Sequence, residues 1–180
     1  MAPQRNLDIR WRSISLLLKN QTPNDSPFHE RVVHTLGLLR VMEAVRAGEG
    51  DEPIGELYRV YGQHIHHEKD TKVDPATALR EAGLSSGYSD AFDDPSWDTM
   101  IRTSMDEGLA LTGNDVGTPL LAFDSPAGRV GFFGPVISRR MPITESLQLW
   151  DGVVAAATIP GFWELKRTRT ESPNFDPPGP

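Results

Sequence analysis

The stretch Gly113-Asn114-Asp115-Val116-Gly117-Thr118-Pro119 decides the fold, because a helical pattern ends before it and a strand pattern begins after it. Residues 120–123 form a short apolar run, and Asp124-Ser125-Pro126-Ala127-Gly128 has the residue types of a tight turn. Residues 129–133 are typical of an antiparallel partner, which Gly134-Pro135 ends. The stretch therefore predicts a loop followed by a β-hairpin.

Upstream of this loop, helical spacing of apolar residues and capping residue types predict a block of five helices. Phe28, Val32, Leu36 and Leu39 predict the first, over about 27–48. The remaining four are expected over about 53–67, 74–83, 86–93 and 95–111.

Both ends of the chain add one more element. Leu7, Ile9 and Trp11 alternate with polar residues, and the alternation slips near Ser13, which predicts a strand over 7–18 with a bulge. A last helix is expected over 144–158. The predicted order is strand, five helices, two strands and a helix.

Composition restricts the possible partners. The chain has 180 residues and a formal net charge of −7, which argues against a dedicated binder of nucleic acid or of anionic membranes. The basic cluster Lys166-Arg167-Thr168-Arg169 is too short to change this. No apolar window approaches the ~20 residues of a membrane span, and the N-terminus has no apolar signal core. We therefore expect a cytoplasmic protein.

The sequence contains no cysteine. This count excludes disulfides, thiolate metal sites and cysteine nucleophiles within the chain as given. The sequence also lacks a glycine-rich phosphate loop, so a nucleotide site has no local support.

Several motifs carry a family resemblance over nearly the whole chain. They are Asp115-Val116-Gly117-Thr118-Pro119, Gly131-Phe132-Phe133-Gly134-Pro135-Val136-Ile137-Ser138-Arg139, Leu149-Trp150-Asp151, Glu164-Leu165-Lys166-Arg167-Thr168-Arg169-Thr170-Glu171, Gly62 with Ile65-His66, and Ile14-Ser15-Leu16. With these residues the chain resembles the DsbA-like thioredoxin-fold family. It is most similar to the actinobacterial mycothiol-dependent nitroreductases, relatives of the FrnE-type oxidoreductases.

The resemblance implies an α/β protein with an incomplete thioredoxin fold and a large all-helical insertion between the second strand and the cis-proline hairpin. Residues 1–20 and 113–163 would form the thioredoxin-like subdomain, residues 24–112 the insertion, and residues 164–180 a C-terminal tail.

Family members begin with a strand and a Cys-Pro-X-Cys motif at a helix N-terminus, and this sequence has neither. Without that internal strand, the strand at 7–18 would be separated from the hairpin, leaving two exposed edges. Three explanations are open. The chain is a fragment or the product of a misplaced start site, or it dimerises so that another copy fills the gap. In the third, its first strand pairs directly with the hairpin. We favour an intimate homodimer.

The resemblance also supplies the candidate substrate-binding residues. It implies a cis Thr118–Pro119 bond, with Thr118 presenting backbone to a bound substrate, and it makes His66 a pocket residue. Trp11 lies on the strand beside the missing element and is a candidate because it would be exposed there. A plain tight turn at Pro119 and core packing of Trp11 are the simpler alternatives.

A histidine cluster ends the second predicted helix. His64 and His67 share a helix face near Glu68, and such a set could bind zinc or nickel. A solvated helix end, where histidine suits the helix dipole, is the favoured interpretation, so we predict no metal site.

Two classes of function follow. By resemblance, the chain is the scaffold of a thiol–disulfide oxidoreductase. Such an enzyme would use mycothiol or a similar thiol to reduce disulfides or small electrophiles. We expect this chain to be inactive, because it has no cysteine. The alternative is a non-catalytic binding or assembly module on the same scaffold. Chemistry like that of kappa-class glutathione transferases, in which a serine activates a thiol cofactor, is a weaker third option.

Overall fold

The computed structural model describes residues 2–126 and 128–176, and over these ranges it is a helix-dominated α/β protein with a single two-stranded sheet. The tail motif at 177–180 and the turn residue Ala127 lie outside the described residues. The α-helices are α1 (Ala2–Arg5), α2 (Leu16–Asn20), α3 (His29–Glu49), α4 (Ile54–Gly62), α5 (Pro75–Glu81), α6 (Asp98–Thr112) and α7 (Ile143–Thr158).

Short helices of other types connect them. A π-helix (Gln63–His67) continues α4, and two 3-10 helices (Ser86–Asp93 and Pro95–Trp97) lie between α5 and α6. The sheet consists of β1 (Leu120–Ser125) and β2 (Gly128–Phe133).

The five predicted helical segments all form helices, although three of them contain a helix of another type. The segment at 53–67 ends in a π-helical turn, the segment at 86–93 is a 3-10 helix, and the segment at 95–111 begins with a 3-10 helix. Asp74 caps α5 as its residue type predicts, since its carboxylate accepts a hydrogen bond from the Thr77 backbone N–H at 2.9 Å.

The predicted strand at 7–18 is wrong. Residues 7–15 have no regular secondary structure, and Leu16–Asn20 is the helix α2. The Ser15 hydroxyl caps this helix by accepting from the Leu18 backbone N–H at 3.3 Å. A strand requires a neighbouring strand for its backbone groups, and an alternating sequence supplies no such neighbour. The direct pairing of this segment with the hairpin is likewise not found in the described sheet.

The hairpin forms where the loop and turn residues predict it. Its strands pair antiparallel from Leu120 with Phe133 to Ser125 with Gly128. Gly131 is required in β2, because a Cβ there would collide with the side chain of Leu111 in α6.

The chain folds into two compact units. The helical unit comprises residues 9–106, and the hairpin unit comprises residues 1–8 and 107–180. Residues 9–20, which the resemblance assigned to the subdomain of the hairpin, are grouped here with the helices.

The core of the helical unit is formed by one side of α3 together with α4 and α5. Its side chains with the lowest exposure are Val41, Val45, Ile54, Leu57, Ala78, Leu79 and Ile101. Among the described helices, none combines the length and the apolar character that a membrane span requires.

Candidate functional site

Trp11 lies in the extended segment before α2 and packs on α4. Its ring stacks on that of Tyr58, with centroids 4.6 Å apart and planes inclined by 27°. A Cβ on Gly55, one turn earlier in α4, would lie 3.0 Å from the Trp11 indole nitrogen. Trp11 remains 39% exposed and Tyr58 48% exposed, so the pair presents an aromatic surface to solvent.

A buried polar network holds this segment against α3. The Ser13 hydroxyl donates to Glu43 Oε1 at 2.5 Å, and both residues are buried. Arg46, one turn along α3 from Glu43, donates through Nε to Glu43 Oε2 at 3.1 Å and through a terminal nitrogen to the Trp11 carbonyl at 2.7 Å. The guanidinium also pairs with Asp51. The position of Trp11 is therefore set by buried groups, which the sequence pattern did not identify.

His66 lies on the exposed surface of the π-helix. Partial desolvation, together with the nearby charges of Arg31 and His67, lowers the pKa of His66 below its ordinary value. The ring is therefore held in its neutral form at neutral pH, in which one nitrogen accepts hydrogen bonds and the other donates.

The other end of the histidine cluster is occupied by carboxylates. His64 Nδ1 lies 2.7 Å from Glu68 and His64 Nε2 lies 2.8 Å from Glu81. The two carboxylates approach opposite ring nitrogens, so they cannot converge on one ion together with this ring. Over the ranges 2–126 and 128–176, no group of three or more histidine or acidic side chains could hold a metal ion.

Thr118 and Pro119 lie in the loop that leads into β1, and both are exposed. The peptide bond between them is cis, and so is the Gly134–Pro135 bond at the end of β2. The Gly134 backbone N–H donates to the Pro119 carbonyl at 2.9 Å, so the two proline turns are joined at the end of the hairpin. Thr118 lies exposed directly before this joined turn.

The four predicted site residues thus fall into two pairs. Trp11 and His66 belong to the helical unit, while Thr118 and Pro119 belong to the hairpin unit. Sequence reasoning missed that Tyr58 is the stacking partner of Trp11. A signal was available, because Gly55 and Tyr58 lie one turn apart on the same helix, and a glycine there leaves room for a large ring beside the tyrosine.

Sequence reasoning also missed a groove of about 470 Å³ in the hairpin unit. Phe123 and Trp150 form its aromatic part, with ring centroids 5.7 Å apart. At its rim, Arg5 of α1 makes two hydrogen bonds to the Asp151 carboxylate, at 2.7 and 2.6 Å. The hydrogen bond from Arg5 lowers the pKa of Asp151. The groove residues are Arg5, Leu7, Phe123, Trp150, Asp151, Val154 and Ala155.

Comparison with known protein families gives a match over residues 1–167. The matching family is described as Rv2466c-like, with the mycothiol-dependent nitroreductase Rv2466c as its named member. The match includes the loop with Thr118 and Pro119, the hairpin, the helical block and α7. This chain therefore belongs to the Rv2466c-like family of mycothiol-dependent nitroreductases.

Proposed function

We propose that this chain is the substrate-presenting scaffold of a DsbA-like oxidoreductase that uses mycothiol or a similar thiol to reduce disulfides or small electrophiles. Family membership supports the thiol-linked reaction. We further propose that the 180-residue chain alone does not catalyse this reaction. The observation that carries this is the absence of any cysteine from a member of a thiol-dependent family.

The residues of the chain fit only part of what mycothiol chemistry requires. Mycothiol supplies a thiol, but no protein thiol is present to form a mixed disulfide with it. The contribution of this chain is then binding and orientation. The exposed Thr118 backbone of the hairpin unit would contact the reacting group. Within the helical unit, Trp11 and His66 offer an aromatic face and a neutral imidazole as separate candidate contacts.

A turnover assay tests the central claim. The purified chain should consume no nitro compound or disulfide above background in the presence of mycothiol. A family member that carries a Cys-Pro-X-Cys motif, assayed under the same conditions, provides the positive control. Thiol-dependent turnover by the cysteine-free chain would contradict the proposal.

A tethering experiment tests the role of Thr118 separately. Thr118→Cys places a single thiol at the proposed contact, and Thr103→Cys places one at an exposed position on α6 as a matched control. With mycothiol disulfide under partly reducing conditions, the fraction of Thr118→Cys carrying the mycothiol adduct should exceed that of the control several-fold. Equal labelling of the two variants would show that Thr118 is not at a thiol-binding surface.

A non-catalytic assembly role, through a homodimer, is the second candidate. It is favoured by the apolar segment that follows α7, in which Trp163 is 86% exposed, Leu165 is 85% exposed and Ile159 is 59% exposed. Sedimentation velocity at micromolar concentration should give a dimer, and Trp163→Glu should shift it toward monomer. A well-folded monomer of the unmodified chain would exclude this candidate.

A further inference from the structure

His64 lies between two carboxylates, one at each ring nitrogen. Nδ1 is 2.7 Å from Oε2 of Glu68, which follows the π-helix, and Nε2 is 2.8 Å from Oε2 of Glu81, the last residue of α5. The His64 side chain is only 16% exposed, although both carboxylate groups are about half exposed. The ring therefore connects two helices that are separated by a loop of seven residues (68–74).

The chemistry of the ring decides its charge. A neutral imidazole has one N–H donor and one acceptor nitrogen, whereas an ionised carboxylate only accepts. With a neutral ring, one of the two short contacts would place two acceptors together. Only the imidazolium, with a proton on each nitrogen, satisfies both contacts.

We propose that His64 is a proton-dependent staple that, as an imidazolium, locks the π-helix Gln63–His67 onto α5 and releases it when it loses a proton. This inference stands whether or not His66, on the same π-helix, contacts a ligand. Single π-helical turns within α-helices are frequently found at functional sites.

The neighbours of His64 are consistent with this assignment. Gln63 donates to the other oxygen of Glu68 at 3.2 Å, which orients that carboxylate. The Asp70 backbone N–H donates to the His64 carbonyl at 3.0 Å. On α5, Arg80 lies beside Glu81 but is directed to Thr77 Oγ1, at 2.8 Å.

The direction of the pH effect follows from the two ion pairs. The hydrogen bond that His64 donates to Glu81, together with the charges of Glu68 and Glu81, outweighs desolvation and raises the pKa of His64 above 6.5. A group with a raised pKa in the folded state stabilises the fold fully below the unfolded-state pKa, and this stabilisation disappears as pH rises through the folded-state pKa. The staple should therefore hold at pH 6 and open as pH rises through the folded-state pKa of His64.

The decisive measurement is the titration of the histidine rings by NMR in the unmodified chain. Long-range proton–nitrogen spectra should show His64 with both ring nitrogens protonated at pH 7, while His66 is neutral. A His64 ring that carries a single proton at pH 7, or that titrates at or below pH 6.5, would overturn the proposal.

Hydrogen exchange provides the readout for the helix. Protection factors of the amides at 63–70 should fall about threefold between pH 6 and pH 9, the size expected for a partly exposed charge pair. His64→Gln and Glu81→Gln should abolish this pH dependence, and His67→Gln on the same π-helix should leave it intact. If protection is independent of pH in the unmodified chain, the proposal is wrong, and this test does not require that the variants fold.

Discussion

The helical unit and the hairpin unit differ in how they bury their apolar residues. In the helical unit, Val41, Ile54 and Leu57 are completely buried within a continuous core. In residues 107–126 and 128–176 of the hairpin unit, the buried positions are Gly134 and Ala157, and the apolar side chains of β1 and β2 stay partly exposed.

The difference shows which unit has a core that can stabilise it. A two-stranded hairpin is marginal in water unless further strands or a helix cover it. The helical unit has the enclosed core that the hairpin unit lacks, and its ion pair between Arg40 and Asp98 is also partly buried. We therefore expect the free energy of unfolding to depend mainly on the helical unit.

The largest expected effect comes from core truncation. Leu57→Ala in α4 should lower the free energy of unfolding by about 2–5 kcal/mol, because it removes a fully buried side chain and leaves a cavity. The matched variant Leu121→Ala in β1 should cost about 1 kcal/mol, since that side chain is only partly buried. Urea denaturation followed by circular dichroism measures both. Equal costs would contradict the contrast between the units.

A smaller effect is expected from the buried network that holds the segment of Trp11. Ser13→Ala should cost about 1–3 kcal/mol, because it leaves a buried Glu43 oxygen without its donor. The control is Ser138→Ala, which removes a serine–glutamate bond of 2.8 Å to Glu171 on the exposed surface of the hairpin unit and should cost less than about 0.5 kcal/mol. If both substitutions are neutral in thermal denaturation, burial of the Ser13 hydroxyl does not stabilise the protein.

The smallest effect is a stabilisation within the hairpin unit. Gly152 lies inside α7 and a Cβ there would meet nothing within 4 Å, so Gly152→Ala should raise the free energy of unfolding by about 0.5–1 kcal/mol. Gly131→Ala is the opposing control and should be destabilising, because its Cβ would collide with Leu111. A destabilising Gly152→Ala would show that the open face of α7 is covered in solution.

The elements that the sequence predicts correctly are those with local causes. Helical periodicity is enough to predict α3, and the cap at Asp74 is enough to predict the start of α5. The turn residues are enough to predict the hairpin. The strand over 7–18 fails because pairing is not a local property. The apolar residues Ile9 and Trp11 of the alternation are exposed, whereas the polar Ser13 and Ser15 are buried without forming a ladder.

The candidate site divides in the same way. Motif resemblance indicated the family that the match over residues 1–167 shows, whereas its assignment of Thr118, Pro119 and His66 to a substrate site stays a prediction. Sequence reasoning did not find the stacking of Tyr58 on Trp11, the contact of Arg5 with Asp151, or the contact of Glu81 with His64. Each of these joins residues that are distant in sequence or depends on the rotation of a helix.

By itself, the sequence determined the order of the helices from α3 onward and of the hairpin, the family, and the absence of cysteine from these 180 residues, because periodicity, motifs and composition are properties of the chain itself. Only the tertiary structure decided that residues 7–15 remain unpaired and that His64 lies between Glu68 and Glu81. The physical reason is that strand pairing and ring protonation depend on neighbours in space, and those neighbours exist only after the helices pack.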